Sequence, residues 1–380
     1  MRTAVKPRST DRQVGHAREA AGKPVARGRW VRQPVGRGRL CLIIGALCAT
    51  LSLSVTMAVA IGPVHIPPLD AWRIGLAHAL DLPRGGWSQA HEHIVVHIRF
   101  PRVLLASIVG GGLAVVGVIL QAAVRNPIAD PYILGISSGA SVGAVLVILF
   151  GMLRSWGIYA TSAAAFLGGL TAFAAIYLLA RDRGRIPPMR IVLSGIAVSY
   201  LFSSITSFLI LKSKAHIASQ SVLYWLMGSV AGARWEHLGL PALVLLGGTV
   251  YLVLLSRSIN ILVLGDETAI TLGVRPSSLR KQLLSIAALL TGIMVAISGG
   301  IGFVALMLPH AVRMLVGADH GRILPVAMLV GAIYLVWLDV LARTLLQPEE
   351  IPITIITAFV GAPFLLWLMR GTNQWSQGGY

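Results

Sequence analysis

Long stretches without a charged residue constrain this chain more than any other feature. Six of them, each about 20 residues long, contain no Asp, Glu, Lys or Arg. A helix of about 20 apolar residues crosses the hydrocarbon core of a bilayer. Only 12% of all residues are charged, about half the share in soluble domains. The sequence therefore predicts a polytopic membrane protein and excludes a water-soluble globule, a disordered chain and a fibre.

The uncharged stretches predict an all-α protein with ten transmembrane helices. The run from Leu283 to Pro309 is too long for one span, and Gly299, Gly300 and Gly302 interrupt it, so we divide it in two. The predicted helices, which together form a transmembrane domain over residues 40–370, are Leu40–Ile61, Val103–Ala123, Tyr132–Leu153, Gly157–Ala180, Ile191–Leu211, Leu238–Ser256, Leu283–Ser298, Ile301–Val316, Ile323–Leu341 and Ile351–Met369.

The basic residues predict how the helices are oriented. Residues 1–40 hold eleven Lys and Arg against two acids, half of the net charge of +18. We interpret residues 1–39 as a disordered polybasic tail that stays in the cytoplasm, and we do not expect it to bind nucleic acid. Ten spans then place 23 of the 32 Lys and Arg inside. Both termini are predicted to be cytoplasmic, including a short C-terminal tail over residues 371–380.

Short segments between the spans carry further predictions. The external loop over residues 62–98 includes PPLDAWRIGLAHAL, whose apolar spacing predicts an interfacial helix. The segment Ser219–Ser229 is too short to span and is expected to re-enter or to lie at the outer surface. In the loop over residues 257–282, LGDETAITLGV predicts a short amphipathic helix with acids at its start, as the helix dipole favours.

The chain lacks the signals of an energy source of its own. The one Gly-Lys pair, Gly22–Lys23, is followed by Pro24 and so cannot be the end of a Walker A motif. An ion-coupled carrier typically has ionisable residues well inside its helices. Only His310, Arg313 and Asp339 approach this pattern, each within about two turns of a helix end. An ion-coupled transporter is therefore the weaker of two transport hypotheses.

Two motifs could point to chemistry. The letters GISSG at residues 135–139 match a nucleophile elbow with Ser137, but no strand precedes them as that elbow requires. Small-residue helix packing through Gly135, Gly139 and Gly143 accounts for them better. His91, His93 and His97 could ligate a metal or heme, or could form an ordinary strand-like stretch. We predict no catalytic residue and no resident metal.

Several motifs together resemble one family of membrane proteins. The longest is RFPRVLLASIVGGGLAVVGVILQAAVRNPIADPYILGISSGA over residues 99–140. It is followed by LGDETAITLGV, SGGIGFVALMLPHAVRMLVGADHGRILP, LDVLART and PEEIPITIITAFVGAPFLLWL in the same order. They closely resemble the FecCD family, the permease subunits of type II ABC importers that carry iron–siderophores, heme and cobalamin. The resemblance covers residues 40–370.

The resemblance implies both an architecture and a set of partners. Members have ten helices, with helices 2–5 and 7–10 related by an inverted pseudo-repeat. Two copies form a dimer around a central path in the bacterial inner membrane. Two separate ATPase subunits bind on the cytoplasmic side, and one periplasmic binding protein binds outside. The chain itself is then not an enzyme and binds no cofactor, since ATP and Mg²⁺ bind to the ATPase.

The resemblance also assigns roles to individual residues. LGDETAITLGV corresponds to the coupling helix that contacts the ATPase, with Asp266, Glu267, Thr268 and Leu272 as contact residues. RNPIADP corresponds to the first inner gate segment, with Asn126 and Ile128. The remaining assignments are Pro188 and Met189 at the second gate segment, Ser199 and Tyr200 on the fifth helix lining the path, and Arg99, Arg102 and Arg343 receiving carboxylates of the binding protein.

Two features limit these assignments. The family has small hydroxylated residues where this chain has Pro188 and Met189. The resemblance therefore leaves undecided which residues form the second gate. The hydroxyls of the fifth helix could equally bond back to the preceding turn of their own helix. The sequence of the segment RNPIADPYILGISSGAS most closely resembles the corresponding segment of heme-importer permeases, so heme is the expected substrate. Ferric siderophore and cobalamin remain alternatives.

Overall fold

The computed structural model describes residues 36–83, 85–132, 134–183, 185–213 and 216–370. Most of the predicted N-terminal tail, residues 1–35, lies outside the described residues. The predicted C-terminal tail, residues 371–380, also lies outside them. The first helix begins at Arg37, three residues before the predicted boundary. No β-strand occurs within the described ranges, which agrees with the predicted all-α class.

The described chain forms fifteen α-helices and three short turns of other helix types. A π-helical turn covers Ile94–Arg99, and 3-10 turns cover Arg154–Tyr159 and Trp235–His237. The α-helices are α1 (Arg37–Ala60), α2 (Pro68–Ala79), α3 (Gln89–His93), α4 (Phe100–Val124), α5 (Ile136–Phe150), α6 (Ala160–Ala180), α7 (Pro188–Lys212), α8 (His216–Leu226), α9 (Gly239–Leu254), α10 (Ser256–Val263), α11 (Asp266–Thr271), α12 (Pro276–Ser298), α13 (Val304–Val316), α14 (His320–Thr344) and α15 (Ile353–Arg370).

Each of the ten predicted spans corresponds to one of these helices. Seven helical segments within the described residues are long and apolar enough to cross a bilayer. Three others, α5, α13 and the apolar part of α15, have 10–17 residues and are shorter than a full span. The count of ten spans therefore stays a prediction. The predicted starts at Tyr132 and Ile301 lie four and three residues before α5 and α13, because Gly135 and Phe303 have positive φ angles directly before these helices.

Close helix packing around α4 organises the bundle. Most of α4 is buried, and it approaches α14 where Gly110 meets the backbone of Gly331. A side chain at Gly117 would collide with the carbonyl of Ala305 on α13. Small residues permit such backbone contact between membrane helices, where packing drives association.

The predicted glycine seam on α5 is confirmed. A Cβ atom at Gly139 would clash with the carbonyl of Gly168, and one at Gly143 with the carbonyl of Ala164, both on α6. Gly135 has φ +68° and ends the non-helical segment that precedes α5. The GISSG letters therefore form a helix start and a packing surface.

The short segments between the spans are also helical. The predicted interfacial helix is α2, and the predicted short amphipathic helix is α11. Most of the segment expected to re-enter or to lie at the surface belongs to α8. The strand-like reading of His91–His97 was wrong. This stretch is helical, and its start is capped by Ser88 Oγ, which accepts a hydrogen bond from His91 N at 3.2 Å.

Candidate functional site

One buried arginine connects three segments at the α11 end of the bundle. The Arg280 side chain on α12 is 1% exposed. Its Nε donates to the carbonyl of Ala123, at the end of α4, at 2.8 Å. Its Nη1 donates to the carbonyl of Ile186, just before α7, at 3.1 Å. Arg280 therefore holds the end of α4 and the start of α7 together.

The same guanidinium binds the first residue of α11. Arg280 Nη2 lies 2.9 Å from Asp266 Oδ1, and Arg280 Nη1 lies 3.3 Å from Oδ2. Arg125 Nη2 approaches the same carboxylate at 3.5 Å. Burial alone would raise the pKa of Asp266, but the hydrogen bonds and charge of Arg280 and the charge of Arg125 outweigh it and lower this pKa. We call Arg125, Asp266 and Arg280 the inner arginine cluster.

Apart from the buried Ala269, the rest of α11 and the residues that flank it are mostly exposed. Glu267, Thr268 and Leu272, three of the four predicted contact residues, are exposed. Leu264 and Ile270, which the sequence reading did not select, are 60% and 63% exposed. The inner arginine cluster thus fixes one end of a short helix whose other side is an open surface with apolar and acidic groups.

The first predicted gate segment is a tight turn at the end of α4. Arg125 has a left-handed φ of 51° and ends the helix. The Asn126 side chain Oδ1 accepts a hydrogen bond from Ile128 N at 3.0 Å, which shapes the turn as Asn commonly does. The Ile128 side chain is more than half exposed.

The second predicted gate segment begins α7. Pro188 occupies the first turn of α7, where its missing N–H costs nothing. Met189 beside it is largely exposed. Ile186, two residues before Pro188, is the residue bonded to Arg280. Ala123 and Ile186, which lie just before the two predicted gate segments, therefore both bind the Arg280 side chain.

The residues of α7 that could line a path differ in the contacts that their side chains make. Ser199 Oγ donates to the carbonyl of Tyr132 at 3.1 Å and so contacts the segment that follows the first gate turn. Tyr200 is exposed and makes no such contact in the described part of the chain. Ser204 and Ser207 donate to carbonyls of the preceding turn, as the structural alternative predicted.

A second group of charges lies at the other end of α4. Arg102 Nε bonds Asp339 Oδ1 on α14 at 2.9 Å. Its Nη1 and Nη2 atoms bond both oxygens of Glu350 at 2.7 and 3.0 Å, a bidentate geometry that arginine favours. Asp339 Oδ2 also lies 3.5 Å from Arg343 Nε. Asp339 is fully buried, whereas the Glu350 side chain is 40% exposed.

The two remaining arginines at this end bind the end of α1. Arg99 Nη1 donates to the carbonyls of Val59 and Ala60, both at 2.8 Å. Arg343 Nη2 donates to the carbonyl of Ala58 at 2.6 Å. All three arginines predicted to dock a partner are therefore buried and have partners within the chain. Their docking role stays a prediction. The outer arginine cluster comprises Arg99, Arg102, Asp339, Arg343 and Glu350.

The two clusters are separated by roughly the thickness of a bilayer. Arg102 and Ala123 are 21 residues apart on α4, which corresponds to about 32 Å of helix. The hydrocarbon core of a membrane is about 30 Å thick. The clusters therefore lie near the two opposite faces of the membrane-spanning bundle.

Two of the three predicted histidines, His93 and His97, lie beside each other and close to His78 of α2. The rings of His93 and His97 have centroids 5.0 Å apart, and that of His78 lies 6.2 Å from His97. Among the described residues no group of three His, Cys, Asp or Glu side chains is arranged to hold a metal ion.

Sequence comparison shows the class of this protein. Residues 50–371 match the model of the FecCD transport family, so the chain belongs to that family. It is 41% identical over 324 residues to the cobalamin import system permease protein BtuC of Halobacterium salinarum, covering 85% of this chain and 86% of that protein. It is 38% identical over 346 residues to the hemin transport system permease protein HmuU of Yersinia pestis, covering 90% and 99%.

A solved structure shows the same fold. It is described as an inward-facing conformation of a metal-chelate type ABC transporter, and it matches with a TM-score of 0.76 and 34% identity. The match covers 87% of this chain and 99% of that one. The chain is an integral membrane protein with the fold of an ABC importer permease, and the relatives it matches are permease subunits.

Proposed function

We propose that this chain is the membrane-spanning subunit of an importer that receives heme from a periplasmic binding protein and passes it to the cytoplasm. The observation that carries the proposal is the bonding of Arg280, which joins Asp266 of α11 to the backbone at Ala123 and Ile186. An exposed helix linked rigidly to two gate segments suits a subunit that is moved by a partner. ATP and Mg²⁺ bind to that partner, an ATPase.

The coupling step follows from this connection. An ATPase bound to the exposed side of α11, through Glu267, Thr268 and Leu272, displaces α11 when two ATPase subunits close. Asp266 transmits the displacement to Arg280, whose hydrogen bonds reach the starts of both gate segments. Such rigid-body transmission through a contact surface is a common type of conformational switch. Asn126, Ile128, Pro188 and Met189 then open or close the inner end of the path.

A second copy of the chain completes the path. Apolar side chains project from one side of α7 at intervals of three or four residues, including Met189, Leu193, Ile196 and Tyr200. These four residues are 41–74% exposed in the described part of the chain. The exposed side of α7 in two copies, with the serine hydroxyls among these side chains, encloses a path whose charged residues, Arg190 and Lys212, lie only at the two ends of the helix, which suits a large chelate with a mainly apolar surface.

The binding protein docks at the outer arginine cluster. Because Arg102 already holds Glu350 bidentately, a carboxylate of the partner must replace Glu350. Glu350→Gln should therefore raise the affinity of the binding protein at low salt, where charge contacts are least screened. Glu349→Gln, at an exposed neighbour, is the matched control. An unchanged affinity in a Glu350→Gln variant of normal thermal stability would remove Arg102 from the docking surface.

The hemin permease supports the substrate assignment, because its match extends over nearly its whole length. The hemin permease is matched over 99% of its length, whereas the cobalamin permease is more identical over 86% of its length. In a purified complex with its ATPase and binding protein, heme should stimulate ATP hydrolysis. Stimulation by cobalamin or ferric siderophore and none by heme would reject heme while leaving the importer role intact.

Orientation is part of the same proposal. The α11 end is cytoplasmic, both termini are cytoplasmic, and the protein resides in a bacterial inner membrane. The excess of Lys and Arg in the segments assigned to the inside supports this orientation. A reporter fused at residue 153 should be periplasmic, and one fused at residue 273 should be cytoplasmic.

A further inference from the structure

A groove of about 760 Å³ runs between α9 and α12. Its sides are formed by Leu243 of α9 and by Leu289 of α12, and two glycines, Gly247 and Gly248, form its floor. Nothing lies within 4 Å of the position that a Cβ atom of Gly247 would take. The groove is therefore open space on the side of the bundle, within the predicted membrane-spanning region.

The polarity of the groove changes along its length. Tyr251 and Gln282, whose side-chain oxygens lie 3.5 Å apart, mark one end together with Ser278 and Lys281. The leucines and glycines form the other end. Since α9 ends and α12 begins next to α10 and α11 along the chain, the polar end is the α11 end. The proposed orientation places it at the cytoplasmic surface and the apolar end towards the middle of the bilayer.

The charge at the polar end has one sign. Among the described residues, Lys281 is the single charged residue that lines the groove. Its Nζ atom lies 5.8 Å from the centre of the Tyr177 ring, which holds the ammonium near the groove mouth. Two exposed arginines flank this end along the chain, Arg257 just after α9 and Arg275 directly before α12. No carboxylate from the part of the chain that the structure describes lines the groove.

We propose that the groove binds an anionic phospholipid of the cytoplasmic leaflet. One acyl chain lies over Gly247 and Gly248, and the phosphate headgroup lies beside Lys281. Basic pockets between membrane helices on the cytoplasmic side recognise anionic headgroups in this way. The shape favours one chain, because the two glycines remove the side chains that would otherwise fill the space. This inference uses the proposed orientation but not the identity of the substrate.

Native mass spectrometry of the purified permease tests the site with two lipids of identical chains. Dioleoyl phosphatidylglycerol should bind more tightly than dioleoyl phosphatidylcholine. Lys281→Ala should weaken phosphatidylglycerol binding about fivefold, since one basic group near a headgroup contributes on that order. Lys281→Arg should preserve binding. Phosphatidylcholine should be unaffected by either change.

A substitution at Gly247 distinguishes lipid binding in the groove from general lipid contact with the protein surface. Gly247→Leu should reduce binding of both lipids several-fold, because the new side chain occupies the space of the acyl chain. Gly45→Leu is the matched control: Gly45 lies on α1, also has nothing within 4 Å, and does not line the groove. Its binding should equal that of the wild type.

Three outcomes would overturn the proposal. Equal affinity for both lipids, or an unchanged affinity in Lys281→Ala, would leave only non-specific lipid contact. A cross-link between two copies of the chain through a cysteine placed at Gly247 would assign the groove to a subunit interface. None of these results depends on ATPase binding or transport, so each is distinguishable from a failure of the proposed function.

Discussion

The two arginine clusters use the same chemistry at the two ends of α4 but differ in what they connect. In the outer cluster, arginines and a buried Asp339 join α1, α4, α14 and the segment before α15. In the inner cluster, one arginine joins backbone carbonyls at the edges of the two predicted gate segments to a carboxylate on a short, exposed helix.

This difference indicates which end of the helix bundle changes conformation. The outer cluster ties the ends of long helices to each other, and its acids bind the buried Arg102. The inner cluster connects a short exposed helix to the end of α4 and the start of α7, and it contains no fully buried acid such as Asp339. We infer that the outer cluster keeps the helices in place, while the inner cluster transmits movement of α11 to the gate.

The largest expected effect comes from removing the buried acid of the outer cluster. Asp339→Asn leaves Arg102 and Arg343 close together without their shared carboxylate. Breaking a buried ion pair costs about 3–5 kcal/mol, so we expect a clear loss of thermal stability. Replacing Asp70, a partly exposed acid on α2 that lies 3.9 Å from the exposed Arg73, with Asn should change the melting temperature little, since such surface ion pairs contribute little. A stable Asp339→Asn protein would mean that the outer cluster does not hold the helices.

A smaller loss of stability with a larger loss of transport is expected at Arg280. Arg280→Ala removes the bonds to Ala123, Ile186 and Asp266, at a cost of about 3 kcal/mol. Lys in its place keeps the charge but cannot reach three acceptors with a planar fork. Both variants should still assemble with the ATPase and hydrolyse ATP, while substrate uptake falls. Normal uptake in Arg280→Lys would show that the shared hydrogen bonds are not needed.

Sequence reasoning found the helices more readily than the contacts between them. Apolar runs with at most one charged residue each locate all ten helical segments, because length and polarity alone decide which segments enter lipid. Arg280 counted only as a cytoplasmic charge, since its acceptors lie 94 and 157 residues away in the chain. The same holds for Glu350 and Arg102, which are 248 residues apart. An arginine next to an apolar helical run, with an acid before it, is the one local signal that could have marked Arg280.

The pH dependence of the inner cluster should be weak in the physiological range. The pKa of Asp266 is lowered, because the charges of Arg280 and Arg125 outweigh its partial burial. A lowered acid pKa gives stability above the ordinary Asp value of about 4 and loses it as the pH falls through the lower folded value. Hydrogen exchange of residues 266–274 should be constant between pH 5 and 8 after correction for intrinsic rates. Loss of protection already near pH 6 would contradict the assignment.

We propose that α11 drives the gate through Asp266 and Arg280. The ratio of ATP hydrolysed to substrate imported tests this coupling most directly. Proteoliposomes that contain the permease, its ATPase and an excess of binding protein would be compared for wild type, Asp266→Ala and the control Asp70→Asn. We predict that Asp266→Ala raises the ratio several-fold, since ATPase closure continues while the gate follows it less often. A ratio equal to that of the wild type, in a complex that assembles normally, would contradict the account.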